Sequence, residues 1–178
     1  MKNNFIIFCL CILFSTTFGK LGLTVDDNYE KCASPEESFN TLDVSGAEIV
    51  TVNDTHSYLN GTAKFLVDLD PPWPIHFYIE KLYGNKWATT GVDRMFEDFC
   101  EDMHRPYEPW FKLMSHFKGC PYKKDELLVA NMIRLNEFKM VYTPSFKGRW
   151  RATIEHYREI DGIRKKDCTR IYSEIAEE

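Results

Sequence analysis

Residues 148–175 read GRWRATIEHYREIDGIRKKDCTRIYSEI, and their periodicity decides the fold class. Trp150, Ala152 and Ile154 alternate with Arg149, Arg151, Thr153 and Glu155. This is a period of two, which a strand satisfies by sending successive side chains to opposite faces. Asp161-Gly162 follows, a pair that tolerates the positive φ of a tight hairpin turn. The chain then resumes as a second strand over Cys168–Ile175.

Working outward, the same alternation recurs. In Thr62–Leu69 the set Ala63, Phe65, Val67 and Leu69 shares one face, and in Ile75–Tyr83 the set Ile75, Phe77 and Ile79 does so. Further strands are expected at Leu127–Leu135, around Ser38–Val44 and at Glu48–Val52. About seven strands separated by turns imply an antiparallel all-β sandwich. The middle of the chain differs. Met95, Phe96, Phe99 and Met103 fall at helical spacing, predicting a short helix over Met95–Met103 and an irregular or helical excursion over Tyr107–Lys118.

The start of the chain reads as a separate element. Phe5–Phe14 is an unbroken apolar run behind Lys2, and Thr17-Phe18-Gly19 places small residues where a signal peptidase cuts. Ten residues rise only about 15 Å as a helix, half of a bilayer core. Residues 1–19 are therefore expected to be a cleaved signal peptide and 20–178 one domain, secreted or delivered to a lysosomal lumen. Removing 19 of the 178 residues leaves 159, enough to bury a core without metal support. The formal net charge of −5 and the lack of basic clusters argue against nucleic acid. With 9 Gly and 8 Pro, the chain is not of the low-complexity type. Of 13 Phe, 9 Tyr and 4 Trp, only Phe5, Phe8, Phe14 and Phe18 belong to the leader, so the domain itself is rich in aromatics.

Past the leader, four cysteines remain: Cys32, Cys100, Cys120 and Cys168. In an oxidising compartment they suggest two disulfides, with three connectivities open. None forms a Cys-x-x-Cys pair, and no metal or other cofactor is expected. Asn53 and Asn60 begin glycosylation sequons. Asp68 and Asp70 read as turn carboxylates, and His76 and His156 as strand residues. No nucleophile elbow, zincin motif or phosphate loop occurs, so no catalytic residue is assigned.

Several stretches together resemble one family. Gly148-Arg149-Trp150-Arg151 opening a strand, the turn at Gly162 and Asp167-Cys168-Thr169 opening the next look like the closing hairpin of the ganglioside activator family, part of the ML lipid-recognition superfamily. Asn28–Cys32, Glu80-Lys81 with a loop to Trp87, Phe96–Cys100 and Cys120-Pro121-Tyr122 follow that family's order. The activator's two further disulfides have no counterpart: Ala88–Met95 lacks a cysteine, and Lys118 stands where a Cys-x-Cys would begin. The pattern is closer to the divergent insect branch that includes the chemosensory CheB proteins.

The resemblance implies the pairing Cys32–Cys168 and Cys100–Cys120. It also implies a β-cup, two splayed sheets around an apolar cavity that binds a lipid or long-chain hydrocarbon. On that expectation Phe65, Val67, Phe77, Ile79, Trp150 and Ile154 line the cavity, on inward strand positions. Tyr83, Trp87 and Phe146 stand at its entrance or on a membrane-touching loop, Phe146 lying where the family has Pro-Ser-Trp. The expected role is non-enzymatic lipid binding and transfer, with transient membrane contact and a glycosidase or chemoreceptor as partner. The other class weighed is a secreted interaction module, a co-receptor or modulator with a fully packed sandwich and no ligand.

Overall fold

The computed structural model describes residues 21–32, 40–52, 56–135 and 144–177. The expected signal peptide and the sequon at Asn53 lie outside these residues. The chain forms an antiparallel all-β sandwich. Its strands are β1 (Leu21–Lys31), β2 (Leu42–Val52), β3 (His56–Phe65), β4 (Ile75–Tyr83), β5 (Lys86–Phe96), β6 (Leu127–Arg134), β7 (Gly148–Ile160) and β8 (Ile163–Glu177). Two one-turn helices, α1 (Phe99–Asp102) and α2 (Phe111–Met114), and a 3-10 turn at Pro144–Phe146 complete it.

One sheet runs β1-β8-β7-β4-β5 and the other β2-β3-β6. The β7–β8 hairpin is the spine of the larger sheet, in register from Gly148↔Ile175 to Ile160↔Ile163. Its two-residue turn holds Asp161 at φ 55° and Gly162 at φ 73°. Positive φ at both positions matches the right-handed twist of the flanking strands. The sheets approach each other most closely where β1 lies beside β2 and β3. Cys32 and Cys168 are disulfide-bonded at a Cα separation of 5.1 Å, closing 136 residues, and Cys100 and Cys120 at 5.5 Å, closing 20.

The buried core is local. Phe65, Leu69, Met103 and Tyr122 pack together, with Trp73, Phe99 and the Cys100–Cys120 bridge around them. Phe65 stacks on Tyr122 with ring centroids 4.3 Å apart. This cluster joins the end of β3 to the helical excursion.

Three local expectations are corrected. Strand β3 stops at Phe65, short of Leu69, because the chain turns there: the Phe65 N–H is taken by the Glu126 carbonyl and that of Leu66 by Thr41. Leu69 rejoins only through a bridge to Tyr122. The two early strands are one, β2, with a register irregularity between Asp43 and Gly46; residues 38–39 lie outside the description. Met95 and Phe96 end strand β5 and are not helical. The helix begins at Phe99, where the Asp98 carboxylate accepts the Cys100 N–H at 3.0 Å as a cap and the Trp73 N–H at 3.0 Å.

Candidate ligand-binding site

Directly opposed residues in an antiparallel pair share a face, so the register defines the inner surface of the large sheet. Phe77 lies opposite Ile154, Ile79 opposite Ala152, Lys81 opposite Trp150, and Ala152 opposite Ile171. These side chains form one apolar field on the three central strands. Yet Phe77, Ile79, Trp150, Ala152, Ile154 and Ile171 are all only half-buried. Full burial on this face comes toward its margins, at Ile75, Lys81, Phe96, Asp167 and Ile175.

The helical excursion closes one end of the field. Trp110 meets Phe77 edge-on at 6.2 Å and Phe96 at 5.3 Å. Arg94 lies over both Phe96 and Trp110, at 4.6 and 5.4 Å, and forks onto the buried Glu108 carboxylate at 2.5 and 2.9 Å. At the other end Phe146 stacks on Trp150 at 5.6 Å, and the Trp150 Nε1–H donates to the Phe146 carbonyl at 2.7 Å. The 3-10 turn is thus pinned to β7 at that end of the field.

The outer face of the same sheet inverts the usual order. Thr153 is 0% exposed, and Glu80 and Glu155 are each 8% exposed. Long polar side chains knit over them. Arg151 forks onto Glu80 at 2.5 and 3.0 Å, Arg170 reaches Glu30 at 3.3 Å, and Arg149 pairs with Asp26. Glu155 accepts from Tyr157 at 2.5 Å and Lys166 at 2.9 Å, and lies 3.2 Å from His76. Burial alone would raise the Glu155 carboxyl, but these three partners hold it below its usual range. Burial pulls His76 down, and Asp93 and Glu155 outweigh it, leaving the imidazole raised.

Of the residues singled out from the sequence, the structure brings together Phe77, Ile79, Trp150 and Ile154, with Phe146 at their edge. Tyr83 projects beside them at the hairpin end, 61% exposed, with the Lys81 ammonium 5.3 Å from its ring. Three others lie elsewhere. Phe65 is 1% exposed within the packed core, against Tyr122. Val67, past the end of β3, lines a separate surface cavity of about 270 Å³ with Trp73, Pro71 and Tyr157. Trp87 pairs with Leu82, one position out of phase with Lys81, and so falls on the outer face. There it contacts Tyr172 at 5.8 Å and Arg151 at 4.6 Å. Asn60 is half-buried on β3, where its amide donates to Glu48 at 3.0 Å.

Sequence reasoning missed Trp110, Ile171 and Lys81 as parts of the site. Lys81 was legible, because it continues the Ile75-Phe77-Ile79 alternation. Trp110 was not, since only the folded excursion brings it over Phe77. Among the described residues no helix is long and apolar enough to cross a membrane. No known family model matches the chain, and no curated protein matches it.

Proposed function

We propose that this protein is a secreted, glycosylated, non-enzymatic carrier that takes the alkyl chain of a lipid or long-chain hydrocarbon between its sheets. The observation that carries the reading is the inverted burial of the large sheet. Its apolar inner face is half-open at the centre, while on the polar outer face Thr153, Glu80 and Glu155 are buried beneath longer side chains. A packed sandwich would place Phe77, Ile79 and Ile154 among its most buried residues. An apolar field that is left open, rimmed by Trp and Phe, fits a hydrophobic ligand site. Both disulfides, which suit an oxidising compartment, and the resemblance of the closing hairpin to ganglioside activator proteins support the same reading.

Transfer of the chain out of water supplies the affinity, about 0.8 kcal/mol for each buried CH₂. Affinity then rises with chain length until the field is covered. Phe146 and Tyr83, at the mouth, are placed to meet a bilayer surface while the lipid is lifted, and a glycosidase or chemoreceptor is the partner class to which it would be presented. Titration with a fluorescent fatty-acyl probe tests this. Saturable uptake, displaced by unlabelled chains in order of length, is expected; no uptake by the folded, secreted protein would refute it.

A further inference from the structure

Lys81 stands out within the apolar field. It lies on the inner face opposite Trp150 and is only 8% exposed. Its stem passes Gly148, where a Cβ would lie 3.5 Å from the Lys81 Cε. The ammonium donates to the Ser145 carbonyl at 2.6 Å and sits 5.2 Å from the Trp150 ring and 5.3 Å from that of Tyr83. Among the described residues no carboxylate pairs with it.

The contrast with the outer face is decisive. Arg149, Arg151 and Arg170 each have a carboxylate partner there, although all are more accessible to water than a group inside an apolar field. An ammonium has three N–H donors. Among the described residues, one carbonyl and two aromatic faces leave this cation without a counter-ion, in a site where desolvation makes an unpaired charge costly.

We infer that the ligand is an anionic amphiphile whose headgroup, a carboxylate or a phosphate, is bound by Lys81 at the Phe146 end of the field. This rests on the lipid-carrier reading and deepens it. The alkyl chain then runs from Lys81 toward Phe77 and Trp110. Phe77 is four residues along β4, ~13 Å at the rise of an extended strand. The rings of Trp150 and Tyr83 flank the ammonium and shield the ion pair from water, which strengthens it.

The test compares ligands of one chain length. Wild-type protein should bind palmitate at least about tenfold more tightly than 1-hexadecanol, the value of one charge-assisted hydrogen bond. Lys81→Met keeps the stem and removes the charge; it should abolish the preference for palmitate over hexadecanol, and Lys81→Arg should restore that preference. A hexadecyl phosphate arm separates the two sources: tighter binding than palmitate assigns a phospholipid-type headgroup, weaker binding a free fatty acid. Equal wild-type affinity for palmitate and hexadecanol, or a preference that survives in Lys81→Met, would overturn the headgroup assignment alone. Failure of every amphiphile to bind overturns the carrier reading and this inference with it. Equal wild-type affinities overturn the assignment even where Lys81→Met is not secreted.

Discussion

Thr153 and Ile154 are neighbours on the central strand β7, and the threonine is completely buried while the isoleucine is only half-buried. Successive side chains on a strand face opposite ways, so this pair samples the two faces of the large sheet at one point. The outer face is sealed by its own arginines, lysines and tyrosines, whose long stems cover the strand beneath them. Among the described residues, the inner face, which carries the apolar residues, has no equivalent cover at its centre.

Core and field should therefore respond differently to truncation. Phe65→Ala, within the Tyr122 stack, should cost about 3–5 kcal/mol, whereas Ile154→Ala should cost about 1 kcal/mol because its surroundings are already open. Urea denaturation of both variants checks this. Comparable losses would mean that Ile154 is ordinary packed core.

Phe146→Ala removes a ring that stacks on Trp150, but leaves the carbonyl that accepts the Trp150 indole. Its cost to stability should stay near 1 kcal/mol. Extraction of lipid from vesicles should fall about fivefold, as expected for losing partial burial of one aromatic side chain. A variant that loses stability without losing extraction would remove Phe146 from the mouth.

The two disulfides should differ in weight. Opening Cys32–Cys168 by a double Ser substitution should cost about 5 kcal/mol, and opening Cys100–Cys120 about 3 kcal/mol, since the closures span 136 and 20 residues. Thermal unfolding of the two double variants ranks them. The reverse order would point to residual order in the unfolded chain, centred on the longer loop.

Stability should depend on pH through His156. Its ring stacks on Trp73 at 5.1 Å, and its Nδ1 is buried with no hydrogen-bond partner among the described residues. Burial, against the opposing pull of Asp167, pushes the imidazole from 6.5 down to about 4. Between those values the unfolded chain binds more protons than the folded one, so stability falls as pH drops from 6.5 toward 4. His156→Phe retains the stack and removes the titration. Its melting temperature should decline less over that window than the wild type's, and an identical decline would exclude His156 as the cause.

Much of the fold was legible because the strands that build the large sheet carry clean alternation. Ile75–Tyr83 is a strand with the bounds expected, and the Asp161-Gly162 turn falls between β7 and β8 as its residues dictate. The strand β5 was illegible for a physical reason. It is an edge strand mixing Thr, Gly, Asp and Arg, and Met95-Phe96 next to Phe99 mimics a helical period that the Asp98 cap interrupts. That Phe77 and Ile79 share a face of β4, and Trp150 and Ile154 a face of β7, could be read from period two alone. Phe65 could not be told from a cavity residue, since packed core and open wall carry the same residue types. Trp87 was misplaced because a two-residue hairpin fixes the face of its flanks by parity, which the sequence of the loop does not display.

The most direct test of the account is native mass spectrometry, paired with organic extraction, on protein secreted from eukaryotic cells. A co-purifying species of discrete mass, about one per chain, is expected, and extraction should release it as a lipid. A clean apoprotein that also takes up no fatty-acyl probe would contradict the carrier reading, and would leave the sandwich as a scaffold for binding another protein.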